Sequence, residues 1–103
     1  MISHLFFSVG PKLIKTPQDL TVHVGEIAKL SCSASGHPKP QIRWRKDGGE
    51  KFPAAQERRL RHLPPDDYII RNAKPEDMGE YSCFAENDVG IVNASAYLTV
   101  LGK

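Results

Sequence analysis

Four residues constrain this chain more than anything else in it. They are Cys32, Trp44, Tyr81 and Cys83, with Trp44 twelve residues after the first cysteine and Tyr81 two before the second. Each sits on an alternating apolar pattern. That combination predicts two β-sheets packed face to face and tied by a Cys32–Cys83 disulfide. Trp44 is expected against the bridge, and the Tyr81 hydroxyl is expected to return to nearby backbone where the chain crosses between sheets. The stretch Asp77-Met78-Gly79-Glu80-Tyr81-Ser82-Cys83 carries most of this signal. Two cysteines allow one connectivity, and no CxxC or Cys/His spacing suggests zinc or another metal.

At 103 residues the chain makes one domain, small enough that burial of apolar surface leaves only modest stability. A covalent staple fits that need, since closing a loop of about fifty residues is worth roughly 4 kcal/mol in the chain-entropy model. The bridge points to an oxidising compartment. The competing reading is an intracellular sandwich whose two thiols stay free. A formal charge of +2 does not call for nucleic acid. No run approaches the length of a membrane span, so no membrane insertion is expected of this segment. Residues 1–10 contain Leu5-Phe6-Phe7 but no cleavage pattern of a signal peptide, and read as an extension or a linker remnant ahead of a domain at 11–103. Any anchor or export signal is expected outside this stretch.

From Pro11 onward short strands are punctuated by Gly, Pro, Asn and Asp, and no window keeps a helical period. The fold class is therefore all-β, a sandwich of two antiparallel sheets. Lys12–Lys15 and Leu20–Val24 read as a first strand split at Thr16-Pro17, because proline cannot donate to a ladder. Alternation turns Ala28, Leu30, Cys32, Ala34, Ile42, Trp44, Tyr68, Ile70, Tyr81, Cys83, Ala85, Ala94, Ala96, Leu98 and Val100 inward. Phe52–Leu63 is the least legible part: Pro53–Glu57 reads as a short helical turn or a crossing, and Arg58–Leu63 as an edge strand. Asn87-Asp88-Val89-Gly90 reads as a hairpin turn with glycine at the position needing positive φ.

Catalysis finds no support. His4, His23, His37 and His62 lie on different segments without partners, and there is no phosphate loop or nucleophile elbow. No cofactor is implied. Asp77 invites a functional reading, but a structural ion pair with Arg58 or Arg59 is the better expectation, since a guanidinium matches a carboxylate bidentately. Asn93-Ala94-Ser95 is an N-glycosylation sequon on an outward position of the last strand, and a glycan there covers part of its face. Arg43, Arg45, Ser82, Phe84, Glu86, Ser95 and Tyr97 are expected on one outer face; exposed aromatics framed by arginines suit a protein partner. The plainer reading is scattered exposure of the ordinary kind. Arg58, Arg59, Arg61 and His62 form a second candidate, a patch for heparan sulfate or another polyanion. Glu57, Asp66 and Asp67 lie near it and offer a neutralised edge instead.

Taken together, these intervals are those of an immunoglobulin-type sandwich. Gly36-His37-Pro38-Lys39-Pro40-Gln41-Ile42, Trp44, Lys46-Asp47-Gly48-Gly49 and Asp77 through Cys83 resemble intermediate-set (I-set) immunoglobulin domains of cell-surface receptors and adhesion proteins. The match covers about Pro11 to Leu101. Lys46-Asp47-Gly48-Gly49, Phe52-Pro53-Ala54-Ala55, Glu57-Arg58-Arg59 and Pro65-Asp66-Asp67 more narrowly resemble the second immunoglobulin domain of the leucine-rich repeat and immunoglobulin-like domain family. That resemblance implies the extracellular part of a single-pass plasma-membrane glycoprotein. Its implied partners are growth-factor receptor or ligand ectodomains, whose signalling such proteins modulate. It transfers no catalytic and no mapped binding residues. A spacer domain of an adhesion or cytoskeletal protein, and a heparan-sulfate-binding module, stand as alternatives.

Overall fold

The computed structural model describes residues 8–64 and 66–102. Residues 1–7, part of the expected extension, and Pro65 of the Pro64–Asp67 turn lie outside the described residues. The elements in order are β1 (Val9–Lys15), β2 (Leu20–His23), β3 (Ala28–Ser31), β4 (Ser33–His37), β5 (Gln41–Lys46), α1 (Pro53–Gln56), β6 (Leu60–Leu63), β7 (Asp67–Ile70), a 3-10 turn (Pro75–Asp77), β8 (Gly79–Glu86) and β9 (Ile91–Leu101). β1 begins two residues ahead of the expected domain start, with Val9 paired to His37.

One layer is the sheet β2-β9-β8-β5. The other holds the ladders β1-β4 and β3-β7-β6. β3 and β4 are one run interrupted at Cys32, whose N–H donates to the Asp66 carbonyl at 3.0 Å, one step beyond the Ser31–Asp67 pair. The expectation of purely antiparallel sheets needs one correction, because β2 runs parallel to β9. The break at Thr16-Pro17 is the cause. β1 pairs with β4 in one layer, buried Pro17 ends that ladder, and β2 then reaches the free edge of β9 in the other layer.

The core lies between the layers, where Leu30, Ile70, Tyr81, Leu98 and both cysteines are fully buried. Cys32 and Cys83 are bridged across it, with Cα atoms 6.5 Å apart. Trp44 stands opposite Cys83 in the β5–β8 register and stacks on Tyr68 at 5.2 Å between ring centroids. Alternation within β8 thus converts a local two-residue period into a wall of Tyr81, Cys83 and Ala85.

Two turns depend on close backbone approach. Gly79 has φ +152, and a Cβ there would meet the Asp47 carboxylate at 2.6 Å. That closeness lets the Glu80 N–H donate to Asp47 Oδ1 at 2.9 Å. The same bond, helped by the Lys46 ammonium, holds the Asp47 carboxyl below the usual carboxylate range. In the β8–β9 turn Gly90 does not take a positive φ, contrary to expectation. Asn87 shapes the turn instead: its Oδ1 accepts from the Val89 and Gly90 N–H groups at 2.9 and 3.3 Å. Its Nδ2 donates to the carbonyls of Val9 and Pro38 at 2.7 and 2.9 Å, tying three segments at one end of the sandwich.

Candidate functional site

The residues of the Tyr-Cys motif build the opposite corner, which is structural. The Tyr81 hydroxyl donates to the Asp77 carbonyl at 2.6 Å. Asp77 is completely buried, and its carboxylate takes two parallel hydrogen bonds from Arg59, Nη1 to Oδ2 at 2.7 Å and Nη2 to Oδ1 at 3.1 Å. Arg59 also donates to the carbonyls of Arg71 and Asn72, so its fork is used on every side. The Lys74 N–H closes the 3-10 turn onto Asp77 Oδ2 at 2.8 Å. Asp77 thereby raises the Arg59 pKa further, while Lys74 and Arg59 hold the exposed Glu57 carboxyl below its ordinary value.

This geometry selects Arg59 over Arg58 as the partner of Asp77. Arg58 takes φ 60 in the turn between α1 and β6, which swings the next side chain inward and leaves its own exposed. The expected polyanion patch is corrected accordingly. Arg59 is only 8% exposed and already holds Asp77, Glu57 and two backbone carbonyls. His62 lies on the side of β6 away from Arg61, tilted against Tyr68 with 5.2 Å between centroids. Arg58, Arg59, Arg61 and His62 are neighbours in the chain but do not share a surface.

Burial pushes the Tyr81 hydroxyl pKa upward, with the Asp77 and Asp47 charges adding to it, and burial alone raises that of Tyr68. An acid whose folded pKa is raised favours folding fully below its unfolded value and loses that contribution as pH climbs toward the folded one. Stability is therefore expected to fall as pH rises above about 10, the ordinary tyrosine value. Denaturation midpoints measured between pH 8 and 12 check this. Tyr81→Phe should flatten the alkaline fall, and an unchanged slope in that variant would count against the assignment.

The outward face of β5-β8-β9 holds the residues expected there. Arg43 stands opposite Phe84, which stands opposite Asn93; Arg45 opposes Ser82, and Ser82 opposes Ser95. Arg43 Nη2 bridges to Glu86 Oε1 at 3.0 Å, and the Arg45 guanidinium lies 5.2 Å above the half-buried Phe84 ring. Ser82 and Ser95 share a hydrogen bond of 2.6 Å. Tyr97 is 48% exposed two rows from Phe84, and its backbone N–H donates to Asp19 at 2.8 Å. Arg43 and Arg45 thus arrive with partners already in place, so their side chains are preorganised. Asn93 is exposed and directly beside Phe84, a proximity visible only once β8 and β9 are paired in register.

Among the described residues no three His, Cys, Asp or Glu side chains converge as metal ligands, and no helix is long and apolar enough to cross a membrane. The sequence places Asn87 in the β8–β9 turn but does not show its tie to Val9 and Pro38. Its place ahead of a turn is the one local signal for it.

Comparison with known proteins agrees with this architecture. Residues 11–100 match the model of the immunoglobulin I-set domain. A stretch of 92 residues, 88% of this chain, is 56% identical to Leucine-rich repeats and immunoglobulin-like domains protein 2 of Homo sapiens, of which it spans 9%. Among solved structures, Drosophila OTK extracellular domains 3–5 superpose with a TM-score of 0.84 at 30% identity, covering 92% of this chain and 33% of that one. The titin M3 domain superposes at 0.79 and 25% identity, covering 91% and 99%. With its bridged core, tyrosine corner and buried Arg59–Asp77 pair, the chain belongs to the immunoglobulin I-set domain family.

Proposed function

We propose that this chain is a non-catalytic, extracellular protein-interaction domain of a cell-surface glycoprotein, one that carries leucine-rich repeats and tandem immunoglobulin domains and modulates receptor signalling. The observation that carries the reading is the 56% identity to a protein named for both kinds of domain. The Cys32–Cys83 bridge supports an oxidising compartment. Domains of this fold are typically non-catalytic, and sheet faces are the surfaces they have to offer. The partner is a growth-factor receptor or ligand ectodomain, and it docks on the face of Arg43, Arg45, Phe84, Glu86 and Tyr97. Phe84 is the anchor: it is apolar, half-buried and fixed beneath Arg45, so little side-chain freedom is lost on binding.

Phe84→Asp is expected to weaken binding to such an ectodomain at least about thirtyfold, the level of a hot-spot residue, while the thermal melt keeps its cooperativity. Surface plasmon resonance against a panel of receptor ectodomains reads this. Unchanged affinity would sink the docking face and leave a spacer domain that contributes length without contacts.

A glycan on Asn93 competes for the same row of the face. Asn93→Gln is therefore expected to raise the affinity of protein made in secretory cells and to leave bacterial protein unchanged. Equal affinities of the two secreted forms, with the glycan seen by mass spectrometry, would move docking off Phe84.

A further inference from the structure

Unpaired positive charge gathers on the outward face of the other layer, away from Phe84. Register places Lys29 of β3 and Arg61 of β6 in one row on either side of Ile69 of β7. The Arg71 N–H donates to the Arg59 carbonyl at 2.8 Å, carrying the β6–β7 ladder one step beyond Ile70. Arg71 lies just past the end of β7, beside this row, and is exposed. Lys29, Arg61 and Arg71 are all exposed, and none makes a salt bridge among the described residues. Of the carboxylates where β6 turns into β7, Asp66 is bridged to Lys15 at 3.0 Å and Asp67 accepts from the Ser31 hydroxyl at 2.8 Å.

We propose that this face binds a linear sulfated polysaccharide through Lys29, Arg61 and Arg71. Charge complementarity names a polyanion, and the shape of the surface selects among polyanions. Lys29 and Arg61 are two strand spacings apart, about 10 Å, with half-buried Ile69 between them. Well-separated cations flanking an apolar side chain suit spaced sulfates along an extended chain. Single-stranded nucleic acid needs aromatic platforms for its bases, and the rings of this region, Tyr68 and His62, turn to the other side of the sheet. The extracellular setting proposed above supplies only the place where such a chain is met; the surface itself is independent of the Phe84 face.

The test uses the 103-residue chain and a heparin oligosaccharide. Binding is expected at 50 mM salt and should fall about twentyfold to fortyfold by 200 mM, as for release of counterions by roughly three cations. The triple variant K29A/R61A/R71A should lose at least tenfold in affinity, while R43A/R45A on the opposite face should lose less than twofold. Lys29→Glu alone, at an exposed position, should give a several-fold loss should the triple variant melt early. Equal weakening by the two multiple variants would overturn the site in favour of general charge attraction. Hyaluronan, which lacks sulfate, or duplex DNA binding as tightly as heparin would overturn the assigned ligand, and no heparin binding at 50 mM would overturn the proposal outright. Phe84→Asp should leave heparin binding untouched, so failure here and failure of the docking face are read separately.

Discussion

Replacing Arg59 with alanine is expected to cost about 3–5 kcal/mol, a large share of the roughly 5–15 kcal/mol that holds a domain of this size. The reason is what the substitution leaves behind. Asp77 is completely buried, and two of its strongest hydrogen bonds come from the Arg59 fork at 2.7 and 3.1 Å. Without them a carboxylate remains in the interior with the Lys74 N–H as its remaining partner. The Arg71 and Asn72 carbonyls lose their donor as well. Urea denaturation followed by Trp44 fluorescence measures the loss. Arg59→Lys should fall between the wild type and the alanine variant, because an ammonium keeps the charge but cannot form the bidentate pair. A cost below about 1 kcal/mol for Arg59→Ala, the level of an exposed ion pair, would mean that water reaches Asp77 and that the corner does not depend on the pair.

Removing the disulfide by Cys32→Ala with Cys83→Ala is expected to lower stability by more than the roughly 4 kcal/mol of loop closure alone. The bridge spans a sequence separation of 51 and restricts the unfolded chain over half its length. Both sulfurs lie in the centre of the core, so the double alanine variant adds a packing loss to the chain-entropy effect. Denaturation of the oxidised protein with and without reductant separates the two contributions, since reduction leaves the core volume nearly unchanged. The denaturant dependence should steepen when the bridge is open, because a less restricted unfolded state exposes more surface. A domain that keeps its midpoint after reduction would be equally suited to a reducing compartment, and the extracellular reading would lose one of its two supports.

The parts of this molecule legible in the sequence are those governed by period and covalent chemistry. Residues two apart on a strand share a face, so Tyr81, Cys83 and Ala85 could be placed inward, and Phe84 and Glu86 outward, with no knowledge of their neighbours. The outward face of β5, β8 and β9 is legible in the same way, because each strand alternates on its own. The basic patch could not be found by that route. Arg58, Arg59, Arg61 and His62 are adjacent in the chain, yet a left-handed residue at 58 and the pleat of β6 send them in different directions. Lys29 and Arg61, which share a row, come from separate stretches and are joined only by the β3-β7-β6 register.

The sequence by itself thus determined an all-β sandwich with a Cys32–Cys83 bridge, a Trp44 core and a tyrosine corner, since these follow from local alternation and from spacing within one chain. Tertiary structure alone decided that Arg59 takes Asp77, that β2 crosses to run parallel with β9, that Asn93 borders Phe84, and which cations share a face. The physical reason is that each of these depends on the register between segments distant in the chain, and a shift of one residue would turn every side chain involved to the other side of its sheet.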